Sequence, residues 1–523
     1  MSFQFKPWLV ALLVVAGLQL PTRRGDAEPS AKQQLTEAAE AISALELDRA
    51  EQLLASLDET SSGQAAARFE RARLAFHRGD YRLAYDTAAG ALAAGTEKQQ
   101  QRWQGLVELY RATEEVTRDY VELSSADGRY RILHPSGKDA VLASYALEVL
   151  SAGDRVLQEV LGTHLPGPVR LEIYPSPDTL AQLSSLTVEQ IRATGTVALC
   201  KWNRLMITSP RALVRGYPWA DTITHELVHL VLSQMTADRA PVWLQEGTAK
   251  LLERKWRDRA AGLHMDPATR ELLAEARQAG KLLTFEQMHP SIAMLPSQDD
   301  AALAFAQVST FMDRYVRDHG EAALRQALLS VKNDVDARKA LADAAGTKFQ
   351  QLEKTWQAGL PKSEGKGAAR RLELRFREGE GPADEASEVK ESTARRHLRI
   401  GDLLWDRGRS LAAALEYEKA HRADRLDPIV AARWGRAALD AGRPQEAIDA
   451  LSPQRERFPG HAPTHAIVGA AWVATGNREA AAPALREAIF INPFDPTPHC
   501  QLVQVSSDQA EVARATRACS SLR

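Results

Sequence analysis

The stretch that decides the fold is Asp221-Thr-Ile-Thr-His225-Glu226-Leu-Val-His229-Leu230. Apolar residues recur in and just after it at the spacing of an α-helix that packs into a core. Because residues four apart lie one above the other on a helix, His225 and His229 can present two imidazole nitrogens to one point. Glu226 lies one step round the helix, beside that point. The pattern therefore predicts a buried helix with a reactive site on one face.

Two histidines and a glutamate in this order form the His-Glu-x-x-His arrangement. It supplies two ligands to a tetrahedral zinc ion and a carboxylate placed to act as a general base. A third ligand must then come from elsewhere in the chain. The arrangement in which a third histidine follows shortly after the second is excluded, because no histidine occurs between His229 and His264.

A second stretch, Trp243-Leu-Gln-Glu246-Gly247-Thr-Ala249, lies close behind the first. We expect the first helix to run to about Met235 and residues 236–239 to form a turn. Pro241 suits the first position of a new helix, where its missing N–H costs nothing. Glu246 then lies in the second turn of that helix. If the two helices form a hairpin, this carboxylate faces back towards the histidines.

The second stretch resembles the Trp-Leu-x-Glu-Gly-x-Ala segment of gluzincin-type (peptidase MA-like) zinc metallopeptidases, in which the glutamate is the third zinc ligand. The resemblance covers roughly residues 125–360, with its sharp motifs between 221 and 256. It implies a zincin-like domain, with a small twisted sheet beside the active-site helices. It also implies Zn²⁺ held by His225, His229 and Glu246, with Glu226 as the catalytic base.

Further site residues are expected around this core. Glu253 matches a glutamate of aminopeptidase-like relatives, and both Glu253 and Asp221 are candidates to orient a ligand imidazole through its second N–H. The stretch 304–315 resembles a helix from which a Tyr or His of such peptidases donates to the developing oxyanion. Phe305 stands where we expect that hydroxyl. Tyr315, on the same broad face, is therefore our candidate transition-state donor.

The composition places the chain among soluble globular proteins. Its 523 residues are enough for more than one domain, and apolar and charged residues make up ordinary shares of 44% and 26%. A net charge of −2 gives no reason to expect nucleic acid or an anionic membrane as a partner. Abundant alanine and leucine with few aromatic residues favour helix. We therefore predict a mostly helical α+β fold.

Residues 1–27 have the pattern of a secretory signal peptide. Lys6 precedes an apolar run from Trp8 to Leu20, and small residues end at Ala27. The run is short for a membrane span, which needs about 20 residues. We therefore expect an exported protein, periplasmic or secreted, without a stable membrane span. An uncleaved anchor is the alternative, since two arginines follow the run.

Before the peptidase region, residues 28–124 are predicted to be helical. Residues 64–97 resemble one tetratricopeptide repeat, which is either a docking surface or a helical layer on the enzyme. Within residues 125–360, alternating stretches predict strands at 129–133 and 169–174 and a hairpin at 196–208. In gluzincins the outermost strand pairs with an extended peptide, and this hairpin is our candidate for that edge.

Residues 361–392, rich in glycine and charge, are predicted to form a solvated linker. Residues 393–523 then repeat with a period of 34, which is the tetratricopeptide pattern of small residues between paired helices. The positions that keep this period are Gly401, Gly435 and Gly469, then Gly408, Gly442 and Gly476, and finally Ala413, Ala447 and Ala481. Such repeats present a concave surface to a protein partner or stabilise and space the enzyme.

Three cysteines fit no disulfide framework. In an oxidising compartment Cys500 and Cys519 can pair, which would close a loop at the C-terminus. Cys200 lies in an apolar, strand-like run, so we expect it to be a packed side chain rather than a nucleophile.

Together these patterns predict an exported zinc metallopeptidase that hydrolyses peptide bonds, with repeats that bind a protein partner. No motif for a free N-terminal amine stands out before residue 221, which favours an endopeptidase. One alternative is a non-catalytic adaptor with a degenerate peptidase domain. Another is a zinc hydrolase with a substrate other than a peptide.

Overall fold

The computed structural model describes residues 30–57, 64–289, 291–363, 372–379 and 384–523. The signal peptide predicted at 1–27 lies outside the described residues. Helices predominate around one five-stranded sheet, which confirms the mostly helical α+β prediction. Among the described residues, no helix combines the length and the apolar character needed to cross a membrane.

Five helices precede the sheet: α1 (Ala31–Ser43), α2 (Leu47–Ala55), α3 (Gln64–Arg78), α4 (Tyr81–Ala94) and α5 (Glu97–Thr117). The pair α3 and α4 corresponds to the repeat predicted at 64–97. It is fixed to the sheet by a buried cluster. Arg204 Nη1 donates to Glu172 Oε2 at 2.9 Å and to the Tyr81 hydroxyl at 3.1 Å. This repeat therefore packs as a layer on the sheet.

The sheet contains β1 (Val121–Ser124), β2 (Tyr130–His134), β3 (Val169–Tyr174), β4 (Ala198–Lys201) and β5 (Arg204–Thr208). Its order is β1-β2-β3-β5-β4, in which β2, β3 and β5 are parallel and the two outer strands are antiparallel to their neighbours. The four predicted strands are confirmed within a few residues, and β4 lies at the edge as expected. Sequence reasoning missed β1, which is only four residues long and mostly exposed.

Helices cover the sheet and build the site. The four that carry or support the site are α6 (Ala140–Leu161), α9 (Trp219–Thr236), α10 (Val242–Leu252) and α12 (Gln298–Lys332). The others in this region are α7 (Pro177–Gln182), α8 (Val188–Thr194), α11 (Pro267–Gln278), α13 (Ala337–Ala344) and α14 (Phe349–Gly359). Helix α9 packs between α6, the β4–β5 hairpin and α10, and α10 in turn packs on α12.

The crossing of α10 and α12 depends on Gly247. A Cβ at this position would lie 2.6 Å from the Val308 carbonyl oxygen and 2.6 Å from Met312 Cγ. A backbone oxygen cannot give way as the end of a flexible side chain can. Gly247, the residue after Glu246, therefore lets α10 pack closely against α12.

We expect Gly247→Ala to destabilise the fold by about 1–3 kcal/mol, because the added methyl group overpacks this crossing. Gly105→Ala is the matched control, since Gly105 lies inside α5 with nothing within 4 Å of its added Cβ. There alanine should be neutral or stabilising, by up to about 1 kcal/mol. Thermal unfolding of the two variants measures the difference. Equal melting temperatures would show that the crossing tolerates a side chain.

The prediction of a solvated linker at 361–392 is wrong for two of its described parts, 372–379 and 384–392. Phe376 is buried and forms a bridge with Leu213, and the Arg377 N–H donates to the Ala212 carbonyl at 2.8 Å. Val389 is fully buried on the first C-terminal repeat. Single apolar residues between the charged ones pack this segment against the rest of the protein. The overall composition of the segment does not predict that packing.

The C-terminal helices are α15 (Ser392–Asp406), α16 (Ser410–Ala423), α17 (Pro428–Asp440), α18 (Pro444–Arg457), α19 (Ala462–Ala474), α20 (Arg478–Ile491), α21 (Pro496–Val505) and α22 (Gln509–Leu522). They form three pairs with the predicted period and a fourth pair that ends the stack, in which Cys500 and Cys519 form a disulfide. Cys200 is free and half-buried.

Both sets of periodic glycines have a structural reason. A Cβ on Gly435 would lie 2.6 Å from Leu451 of the paired helix, and Gly401 and Gly469 face equivalent side chains. Gly408, Gly442 and Gly476 turn the chain between helices with φ of 71°, 73° and 78°, a region that favours glycine. The predicted repeat register is confirmed.

The last repeat packs directly against α9, the helix that carries His225 and His229. Trp219 Nε1 donates to the Ile489 carbonyl at 2.9 Å, and the Tyr217 N–H donates to the Ile491 carbonyl at 3.0 Å. Leu485 and Ile489 belong to the same buried cluster as the core of α9. The C-terminal repeats and the peptidase region therefore share one hydrophobic core.

Candidate metal centre

Helix α9 carries the first half of the site. Its apolar residues are buried as predicted, which fixes the rotation of the helix about its axis: Ile223, Leu227, Val228, Leu230 and Val231. With that face in the core, His225 and His229 point to the same side, and their ring centroids are 4.8 Å apart. Glu226 is buried, with 5% of its surface exposed. One of its carboxylate oxygens lies within 4.8 Å of a ring nitrogen of each histidine.

Helix α10 supplies the third side chain. It begins at Val242, so Pro241 is the residue before the helix and not its first residue. Glu246 faces back as the hairpin predicts. Its Oε2 lies 3.1 Å from His225 Nε2 and 3.4 Å from His229 Nε2. One carboxylate oxygen and two imidazole nitrogens thus converge on one point.

These distances fit a tetrahedral zinc ion. With Zn–N and Zn–O bonds of about 2.0–2.2 Å, neighbouring ligand atoms lie roughly 3.3–3.5 Å apart. The observed separations of 3.1 and 3.4 Å are close to that edge length. Two imidazoles and a carboxylate, without a thiolate, are also the donor set of catalytic zinc sites that keep a fourth position for water.

Glu253 orients the first histidine. Its Oε2 lies 3.1 Å from His225 Nδ1. A carboxylate accepts a hydrogen bond, so this contact holds a proton on Nδ1 and leaves Nε2 as the nitrogen that faces Glu246. The second oxygen, Oε1, accepts a hydrogen bond from Lys250 Nζ at 2.6 Å. Sequence reasoning proposed Glu253 for this position and did not consider Lys250.

The carboxylates shift the protonation of the site. Burial opposes charge on His225, but its hydrogen bonds to Glu246 and Glu253 outweigh burial and raise its pKa to about 10. Burial would raise the pKa of Glu253, yet Lys250 and then His225 outweigh it and lower that pKa to about 2. For Glu226, burial dominates and raises the pKa above its ordinary value. A raised pKa suits a general base that works near neutral pH.

The predicted role of Asp221 is wrong. Its carboxylate accepts a hydrogen bond from Trp256 Nε1 at 2.9 Å and pairs with Arg257, not with an imidazole. Arg257 also binds Glu487 of α20 at 2.7 Å. One turn before His225, the side chain contacts the segment that follows α10, and Arg257 links that segment to the last repeat. Asp221 therefore anchors α9 to the residues that follow α10.

The predicted role of Tyr315 is also wrong. Its hydroxyl donates to the Leu341 carbonyl at 3.1 Å, and its ring is buried. Ten residues along a helix correspond to about 15 Å, which carries Tyr315 away from the site. The ring centroid of Phe305 lies 6.2 Å from that of His225. Position 305 is therefore next to the metal site, as the resemblance implied, and carries no hydroxyl.

Comparison with known proteins supports the assignment of the domain. Residues 152–362 match the family model of the Peptidase MA superfamily. No curated protein gives a significant match to the chain.

Two solved structures illustrate the range of similar folds. Yeast LTA4 hydrolase in complex with bestatin has 10% sequence identity over 76% of this chain and 67% of its own, with a TM-score of 0.30. A thermophilic TPR protein of Thermus thermophilus has 24% identity over 25% of this chain and 72% of its own, with a TM-score of 0.22. At these TM-scores neither structure supports a statement about activity. Residues 152–362 are thus similar to the Peptidase MA superfamily, within a mostly helical, repeat-containing chain.

Proposed function

We propose that the chain is an exported zinc metallopeptidase that cleaves internal bonds of a peptide or protein substrate. The observation that carries this proposal is the convergence of Glu246 Oε2 with the Nε2 atoms of His225 and His229, at 3.1 and 3.4 Å. These three groups come from two helices with 16 residues between the second histidine and the glutamate. A fold that needed only apolar packing here would not bring them together.

Each side chain has a separate task in this proposal. Bound zinc would supply a water molecule whose pKa is lowered to about 7. Glu226, beside the two histidines, would be the general base, which takes up a proton on its carboxylate and returns it to the leaving amine. Glu253 keeps the Nε2 of His225 free for the metal through its contact with Nδ1.

The substrate is proposed to bind along β4. This strand is at the edge of the sheet and packs next to α9. The backbone N–H and C=O groups of an edge strand can pair with an extended chain. Pairing of this kind holds a substrate through its backbone rather than through a chain end, which favours cleavage of internal bonds.

Export of the protein is supported by two separate features. The N-terminal sequence has the charge and apolar pattern of a signal peptide. In addition, Cys500 and Cys519 form a disulfide, a bond that persists mainly in oxidising compartments. We further propose that the C-terminal repeats bind a protein partner.

Position 305 favours a second candidate function. Phe305 lies next to His225 in place of a hydroxyl donor. A site without a transition-state donor would suit an adaptor that binds metal and partner without catalysis. Peptide cleavage separates this candidate from the first.

Removal of zinc should abolish peptide hydrolysis. We expect the purified protein to bind one zinc ion per chain, to lose activity in a chelator and to regain it when zinc is restored. Metal analysis and mass spectrometry of a peptide mixture measure these quantities. Protein that binds zinc and cleaves no peptide would support the adaptor, and protein that binds no zinc would contradict the peptidase.

A further inference from the structure

We propose that Lys250 is a positioning residue of the metal site. It holds the Glu253 carboxylate in the orientation that receives the Nδ1–H of His225. This inference rests on the proposed zinc site and adds a residue to it. Neither the His-Glu-x-x-His motif nor the stretch around Glu246 includes a lysine at this position.

The spacing along α10 places three polar residues on one face. Glu246, Lys250 and Glu253 are related as i, i+4 and i+7, which brings them within a narrow sector of a helix with 3.6 residues per turn. The ligand, the carboxylate that orients the ligand histidine and the lysine therefore share one side of one helix. That side faces α9.

The hydrogen bonds fix the Glu253 carboxylate at both ends. Oε1 accepts from Lys250 Nζ at 2.6 Å, and Oε2 lies 3.1 Å from His225 Nδ1. With both oxygens engaged, rotation about the terminal torsion of Glu253 is restricted. Without the lysine, only the imidazole contact opposes that rotation, and the histidine loses a fixed acceptor.

Burial gives this contact more weight than a surface ion pair has. The Glu253 side chain is 12% exposed and the Lys250 side chain 30% exposed. A surface pair of this kind contributes little, because water and salt screen it. Here Glu226 is repelled by both Glu246 and Glu253, so the site holds an excess of acidic groups. The Lys250 ammonium and the His225 imidazole are the groups that bind the Glu253 carboxylate.

A nearby lysine provides a matched control. Lys255 Nζ donates to the carbonyl oxygens of Arg259 at 3.2 Å and Ala261 at 3.1 Å, beyond the end of α10. It supports the backbone of the following segment and contacts no site carboxylate through a hydrogen bond. Removal of its charge tests the effect of losing a lysine in this region without touching Glu253.

The test compares zinc affinity in Lys250→Met, Lys250→Arg and Lys255→Met with the full-length wild-type chain, by competition against a chromogenic chelator. We expect Lys250→Met to weaken zinc binding by about 10- to 100-fold, the range for lost partners of ligand residues. Lys250→Arg, which can still donate to Glu253, should restore most of the affinity, and Lys255→Met should match the wild type. The melting temperature of the zinc-stripped proteins should be the same for Lys250→Met and the wild type.

Two results would overturn the inference. One is a Lys250→Met variant that binds zinc as tightly as the wild type. The other is a loss of affinity shared by Lys255→Met or accompanied by a lower melting temperature of the zinc-stripped protein. A wild-type chain that binds no zinc would instead overturn the proposed function, and this inference with it.

Discussion

Replacement of Glu226 by Gln should lower kcat for peptide hydrolysis by about 10²- to 10⁴-fold, the usual contribution of a general base. The amide has the size of the carboxylate but cannot accept the proton of the attacking water. Because glutamine has almost the same volume and Glu226 is not one of the three converging ligands, zinc content and melting temperature should stay close to those of the wild type. Single-turnover assays measure the rate of hydrolysis. Metal analysis and thermal unfolding of the same samples measure the zinc content and the melting temperature.

Glu115→Gln is the control for this variant. Glu115 is exposed on α5 and pairs only with Arg111 within the described residues, so its loss should leave the activity unchanged. If Glu226→Gln kept the wild-type kcat, another group would have to be the base. If the wild type and Glu226→Gln both bound zinc and neither cleaved peptide, the adaptor would be the better description of the molecule.

The part of the site that could be predicted from sequence is the part set by helix geometry. The spacing of His225 and His229 requires only the period of a helix, and Glu246 requires one further turn and a second helix. The strands of the hairpin followed from alternation in the same way. Those features depend on residues close together in the chain, whose relative positions local structure fixes.

The predictions that were wrong depend on long-range packing. Asp221 lies on the same helix as the histidines, but its partners come from the segment that follows α10, and Arg257 is itself held by Glu487 of the last repeat. Tyr315 shares a helix with Phe305, yet its hydroxyl meets the carbonyl of Leu341. Sequence spacing places a side chain on a helix and does not say which distant element covers it.

Deletion of residues 393–523 should prevent the peptidase region from folding into a soluble, zinc-binding form. The deletion removes Leu485 and Ile489 from the core that they share with α9 and uncovers Trp219. Each buried aliphatic side chain of this kind contributes about 1.5–3 kcal/mol. Several such losses approach the whole stability of a domain, about 5–15 kcal/mol. Soluble expression, circular dichroism and zinc content of the shortened chain measure the outcome.

Deletion at the other end gives the contrast. Helices α1 and α2 form a small separate cluster with α3, so a chain that begins at residue 64 should fold and bind zinc. If the chain that ends at residue 392 were equally soluble and bound zinc, the repeats would be a separable module that only spaces the enzyme or recruits a partner. If it is insoluble, the last repeat is part of the enzyme's core. A partner bound to the repeats would then be coupled to the helices that carry His225 and Glu246, through the contacts of Trp219 and Arg257 with the last repeat.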